Sequence, residues 1–129
     1  MISKDWPTLN WVEFDRYSFA EVNKEMDARI DENSVVTEVA AYYRAGMEKQ
    51  LEMPTINELS LTPATVAGEP AFRMELNFAN PQGVTFNVLA YGFIKDGNFY
   101  ELMFQAPRVH FYNESLAEFE AMVASFELI

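Results

Sequence analysis

The chain has 129 residues, half of them hydrophobic and 15% aromatic, with no cysteine and a net charge of −11. One globular domain spanning residues 1–129 is the expectation, since a chain this long can bury roughly two-thirds of its unfolded surface without disulfides or Cys-based zinc sites. Nine basic residues scattered from Lys4 to Arg108, against twenty acidic ones, lack the basic stripe that DNA, RNA or an anionic membrane requires. The acidity suits solubility or a complementary basic partner.

No run approaches the 18 or so apolar residues of a membrane span, so no membrane insertion is expected. Met1-Ile2-Ser3-Lys4-Asp5-Trp6 has no apolar signal-peptide core. The expected compartment is cytoplasmic, or exported if an N-terminal signal has been removed.

In chain order, Leu9 to Tyr17 holds Trp11, Val12, Phe14 and Tyr17 and reads as a strand without clean alternation. Ser18-Phe19-Ala20-Glu21 has capping-box spacing, and Phe19, Val22, Met26 and Ile30 continue at helical spacing until Asp31-Glu32-Asn33. Ser34 is the expected N-cap of a longer helix from Val35 to about Leu51. Val36, Val39, Tyr43, Met47 and Leu51 form its stripe, and Pro54 ends it. Leu59 and Leu61 open a strand that Pro63 marks as a sheet edge. An exposed edge there would permit sheet-to-sheet homodimers, although Pro63 opposes long pairing.

Ala67-Gly68-Glu69-Pro70 turns the chain into an antiparallel meander. Phe72, Met74, Leu76 and Phe78 alternate with Arg73, Glu75 and Asn77, and Asn80-Pro81-Gln82-Gly83 turns the chain again. Val84, Phe86, Val88 and Ala90 then share one face of a second run. Asp96-Gly97 marks a hairpin, because a type I′ turn needs positive φ at both central residues. The third run puts Tyr100, Leu102, Phe104 and Ala106 on one side and Glu101 and Gln105 on the other, and Pro107 stops it. Ser115-Leu116-Ala117-Glu118 reads as a second capping box, opening a closing helix with Leu116, Phe119, Met122, Val123 and Phe126 on its stripe.

Leu89, Tyr91, Phe93, Phe99 and Met103 fall opposite the first-counted apolar faces. Central strands apolar on both sides need cover on both, or leave a patch that binds something. The expected fold is therefore α+β: a three-layer α/β/α sandwich with a mainly antiparallel sheet, either fully covered or with a partly open aromatic groove.

The order of long helix, edge strand, meander and closing helix resembles the PsbP-like family. The matching residues are Gly68-Glu69-Pro70-Ala71-Phe72, Asn98-Phe99-Tyr100-Glu101-Leu102, and Phe119 to Phe126 with its terminal Ser125-Phe126. The resemblance covers Val35 to Ile129. The family shares its fold with the Ran-binding Mog protein and with bacterial adaptor chaperones of type VI secretion. It usually opens with a β-hairpin, where Phe19 to Ile30 here reads helical. The resemblance implies a non-enzymatic PsbP/Mog-like domain that docks on a protein partner, with no catalytic residues to carry over.

Local chemistry agrees. The single histidine, His110, has no flanking metal ligands and fits a structural or surface role. No Gly-x-Ser-x-Gly elbow is present. Asp27, Asp31 and Glu32 lack a calcium-loop pattern and read as solvated helix-end charges. Asn113-Glu114-Ser115 fits a glycosylation sequon, a triplet frequent by chance. Trp6-Pro7 and Trp11 close a core end or dock a partner. The expected function is a protein-binding or adaptor domain whose partner-binding residues are Tyr91, Phe93, Phe99, Met103 and Trp11, with no cofactor and no metal. The alternative is a small apolar-ligand carrier, or a hydrolase, built around an internal pocket.

Overall fold

The computed structural model describes residues 2–4, 10–51, 56–79, 82–108 and 114–127. His110, Trp6, Pro7, Pro54, Asn80 and Pro81 lie outside them, as do the side chains of Trp11 and Ser115. The elements are β1 (Ile2–Lys4), β2 (Asn10–Ser18), α1 (Phe19–Met26), α2 (Val36–Leu51), β3 (Asn57–Val66), β4 (Glu69–Ala79), β5 (Thr85–Lys95), β6 (Asn98–Pro107) and α3 (Glu114–Ala124). The fold is α+β. Its sheet is antiparallel throughout, in the order β1-β2-β6-β5-β4-β3.

Turn chemistry builds the meander. Ala67-Gly68 and Asp96-Gly97 all take positive φ, which lets two residues join twisted strands. Pro63 sits in β3 at the sheet edge, where a missing N–H costs no ladder bond. The chain opens with the paired strands β1 and β2 and then turns helical, so both features are present.

Three helix boundaries differ from the sequence reading. The Ser18 capping box forms, with the Glu21 N–H donating to Ser18 Oγ and the Ser18 N–H to Glu21 Oε1. α1 nevertheless ends at Met26, because Asp27 takes a left-handed C-cap at φ 51°. The chain then folds back. The Asn23 side chain donates to the Ile30 carbonyl and accepts its N–H, so Ile30 is buried without being helical. Ser34 is not an N-cap: its Oγ accepts the Asp31 N–H in the preceding turn. α2 starts at Val36 instead, with the Val35 carbonyl accepting from Glu38 and Val39. Ser115 likewise lies inside the first turn of α3.

Two apolar cores lie on the two faces of the sheet. On one, Val22 of α1 and Val39, Ala40 and Tyr43 of α2 meet Phe72, Met74, Leu76, Val88, Ala90 and Phe99. On the other, Phe119 and Val123 of α3 meet Leu89, Tyr91, Phe93, Leu102 and Phe104. Met122, expected on the buried stripe of α3, is 40% exposed.

The strand register corrects one grouping. The two-residue turn pairs Lys95 with Asn98, so odd positions of β5 share a face with even positions of β6. Tyr91 therefore sits opposite Leu102, and Ala90 opposite Met103. Tyr91 and Phe93 face α3, whereas Phe99 and Met103 face α1 and α2. The single aromatic face expected from these four residues does not form.

Candidate functional site

The four candidates from the central strands are occupied by the chain itself. Tyr91 accepts a hydrogen bond from Arg73 Nε, and Arg73 also pairs with Glu120 of α3. Phe93 stacks on Tyr100 at 4.9 Å. Phe99 is buried with its ring 6.1 Å from Tyr43. Met103 is buried too, but it lines a pocket. The backbone of Trp11 pairs with Gln105 beside the same pocket.

That pocket, of about 530 Å³, is bounded by α1, α2, β2 and β6. Cross-strand pairing builds its floor. Asp15 lies directly opposite Glu101, and Glu13 opposite Met103, so the three carboxylates project from one sheet face. Each offers an oxygen, and the three oxygens lie within 4.8 Å of one another. Gly92 flanks Glu101 on β5, and the Phe72 ring lies over it: a Cβ there would meet Phe72 Cε2 at 2.4 Å. Phe72 in turn packs against Tyr43, at 5.5 Å between ring centroids. Glu101 thus starts from beneath an aromatic roof and is only 9% exposed.

The other walls are mixed. Val22, Met26, Met47 and Met103 are apolar, Tyr17 and Gln105 add polar groups, and Glu21, Lys24 and Glu25 line the α1 side. Around the floor, Asp15 Oδ2 and the Tyr43 hydroxyl are buried without a well-formed hydrogen bond. Tyr43 is 1% exposed, and its hydroxyl is close enough to Glu101 to feel that carboxylate's charge.

Crowding and burial set the protonation. Burial pushes the Glu101 carboxyl up to about 8; the Tyr43 hydroxyl works against this, and the charges of Glu13 and Asp15 work with it. Glu13 is pushed up to about 7, first by burial and then by its contact with Asp15. Burial and the same carboxylates hold the Tyr17 and Tyr43 hydroxyls well above their ordinary value, so both are neutral donors. Burial and crowding therefore favour the protonated carboxyls near neutral pH, and a bound cation would favour the ionised ones. Its oxygen-rich floor can hold a cation, or give and take a proton.

A second depression of about 600 Å³, lined by Thr65, Gly68, Lys95, Ser125 and Phe126 among others, is open to solvent. Lys95 there is paired with Glu69, and among the described residues no converging carboxylates line it.

Sequence reasoning missed Glu13, Asp15, Glu101 and Tyr43. The available signal was the spacing Glu13-x-Asp15-x-Tyr17, which puts three polar groups on one face of a strand leading into the protein. Comparison with known proteins matches the chain to no family model and to no curated relative.

Proposed function

We propose that this chain is a non-enzymatic protein-binding domain that takes a basic segment of its partner into the acidic pocket. The observation that carries the reading is the convergence of Glu13, Asp15 and Glu101 at the floor of a pocket whose walls are mixed, with Val22, Met26, Met47 and Met103 as their apolar part. Charge supports it: the net −11 steers a basic partner in and repels acidic ones. The proposed layering is a three-layer α/β/α sandwich, supported by separate helix-covered cores on the two faces. The PsbP-like and Mog-like resemblance of Val35 to Ile129 supports the adaptor role. Of the residues first expected to bind, Met103 keeps a place in this proposal.

The test compares a lysine- and arginine-rich peptide with its alanine-substituted counterpart by fluorescence anisotropy. Charge reversal at the pocket mouth, Glu21→Lys with Glu25→Lys, is expected to weaken basic-peptide binding by at least about tenfold at low salt. Equal binding of the two peptides, or no effect of the reversal, would sink the reading.

One observation favours a second reading, that of a hydrolase or ligand carrier. Glu101 and Glu13 titrate near 8 and 7, a range suited to general acid–base work. Turnover of any ester or glycoside panel member that Glu101→Gln abolishes would replace the binding reading.

A further inference from the structure

We propose that the group seated on the pocket floor is a primary ammonium, as on a lysine side chain, and not a guanidinium or a bare divalent cation. This rests on the reading of the pocket as a receptor for a basic segment.

Geometry discriminates among the cations. An ammonium presents three N–H donors fanned around one point, and three separate carboxylates converge here on one small volume. A guanidinium is a flat fork that pairs best edge-on with a single coplanar carboxylate. The three acceptors come from three residues on two strands, Glu13 and Asp15 of β2 and Glu101 of β6, and not from one such fork.

A second and independent observation is the Tyr43 hydroxyl. The residue is fully buried and lines the same pocket; its hydroxyl sits beside the Glu101 carboxyl without a well-formed hydrogen bond, which leaves its oxygen lone pair for the same occupant. A buried oxygen left short of a partner costs stability, which an occupant that completes it would recover. Asp15 Oδ2 is a second buried acceptor left open.

The walls choose between an organic and an inorganic cation. A metal ion with its remaining waters gains nothing from Val22, Met26, Met47 and Met103. A four-carbon stem lies well along such a wall, where it buries apolar surface while its charge reaches the floor.

Binding must release protons. The groups that face the floor are Glu13, Asp15 and Tyr17 from β2, Glu21, Lys24 and Glu25 from α1, Tyr43 from α2, and Glu101 from β6. The two tyrosines stay neutral, and Lys24 is the only cation among them. Ammonium binding therefore draws Glu13 and Glu101 to their ionised forms and tightens as pH rises through their range.

The experiment is an NMR titration of the intact chain with Gly/Ser peptides differing only in a central lysine, arginine or norleucine, and with magnesium chloride. Calorimetry in two buffers of different ionisation enthalpy counts the protons. The lysine peptide is expected to bind at least about tenfold tighter than the arginine and norleucine peptides, with net proton release. Glu101→Gln is expected to remove most of that preference, and Tyr43→Phe to reduce it a few-fold. Should Glu101→Gln fail to melt cooperatively, Glu13→Gln, at the less buried position, makes the same test.

Arginine binding as tight as lysine overturns the ammonium assignment and leaves the basic-segment reading standing. Binding of magnesium alone, or of no peptide, overturns both. A lysine preference unchanged in Glu101→Gln or Glu13→Gln moves the ammonium to another place and overturns this site.

Discussion

The two faces of the sheet solve the same burial problem differently. Against α3 the chain stacks rings on rings: Phe119 lies 5.8 Å from Phe104 and 6.1 Å from Tyr91, with Arg73 tying Tyr91 to Glu120 across the seam. Its one open polar atom among the described residues is the buried Asn87 Oδ1. Against α1 and α2 the β4–β5 side is equally apolar, but the β2–β6 side ends in three crowded carboxylates and an orphan tyrosine hydroxyl. The first face is held together by what it contains. The second is complete on one side and, on the other, crowds three carboxylates beside a tyrosine hydroxyl, with Asp15 Oδ2 and the Tyr43 hydroxyl short of well-formed hydrogen bonds. Unsatisfied buried groups cost stability, and on the proposed reading a bound ammonium offsets that cost.

The comparison breaks first at α3. Deleting Leu116 to Ile129 is expected to abolish cooperative melting, because the aromatic face loses its cover; a truncated chain with a sharp melting transition would contradict this. Within α3, Phe119→Ala is expected to cost about 3–5 kcal/mol by chemical denaturation, since its ring is fully buried against those of Phe14, Tyr91 and Phe104.

Gly92→Ala acts on the other face. The added methyl would lie 2.4 Å from the Phe72 ring and displace the roof over Glu101, at an expected cost of about 1–3 kcal/mol. An unchanged denaturation midpoint would mean that Phe72 moves freely.

Glu101→Gln is expected to change the pH dependence of stability. Glu101 is raised from an ordinary 4.5 to about 8, so between those values the unfolded chain ionises while the folded chain holds its proton. Its contribution is therefore fully present below about pH 4.5 and is lost as pH rises to about 8. Relative to wild type, Glu101→Gln should gain in melting temperature steadily from pH 5 to pH 8, roughly the window set by that shift. A constant offset across the range would show an ordinary carboxylate.

The smallest expected effect belongs to Ser18→Ala, which removes one half of the capping box and should cost about 1 kcal/mol.

Much of the fold was legible because periodicity reports burial directly. Phe72, Met74, Leu76 and Phe78 alternate in sequence and are buried in fact, and Asp96 and Gly97 both take the positive φ expected of their turn. Two things were not legible. Which faces of β5 and β6 coincide depends on the register across the turn, and this separated Tyr91 and Phe93 from Phe99 and Met103. The site itself reverses the usual assignment of residues: Glu101 is 9% exposed while Phe14, one strand away, is 43% exposed. Single acidic residues on a strand read as its wet side. Only the pairing of β2 with β6 shows that Asp15, Glu101 and Glu13 share a covered face. Tyr43 looked like core filler at helical spacing, and its ring is just that; its hydroxyl belongs to the pocket.

The most direct test of the account is a side-chain carboxylate NMR titration of Glu101 in the free protein. The account predicts a midpoint near 8, with Glu13 following near 7 and each responding to the other's ionisation. A midpoint near the ordinary 4.5 would mean that the Glu101 carboxylate is solvated and uncrowded, and would contradict the existence of the buried acidic site.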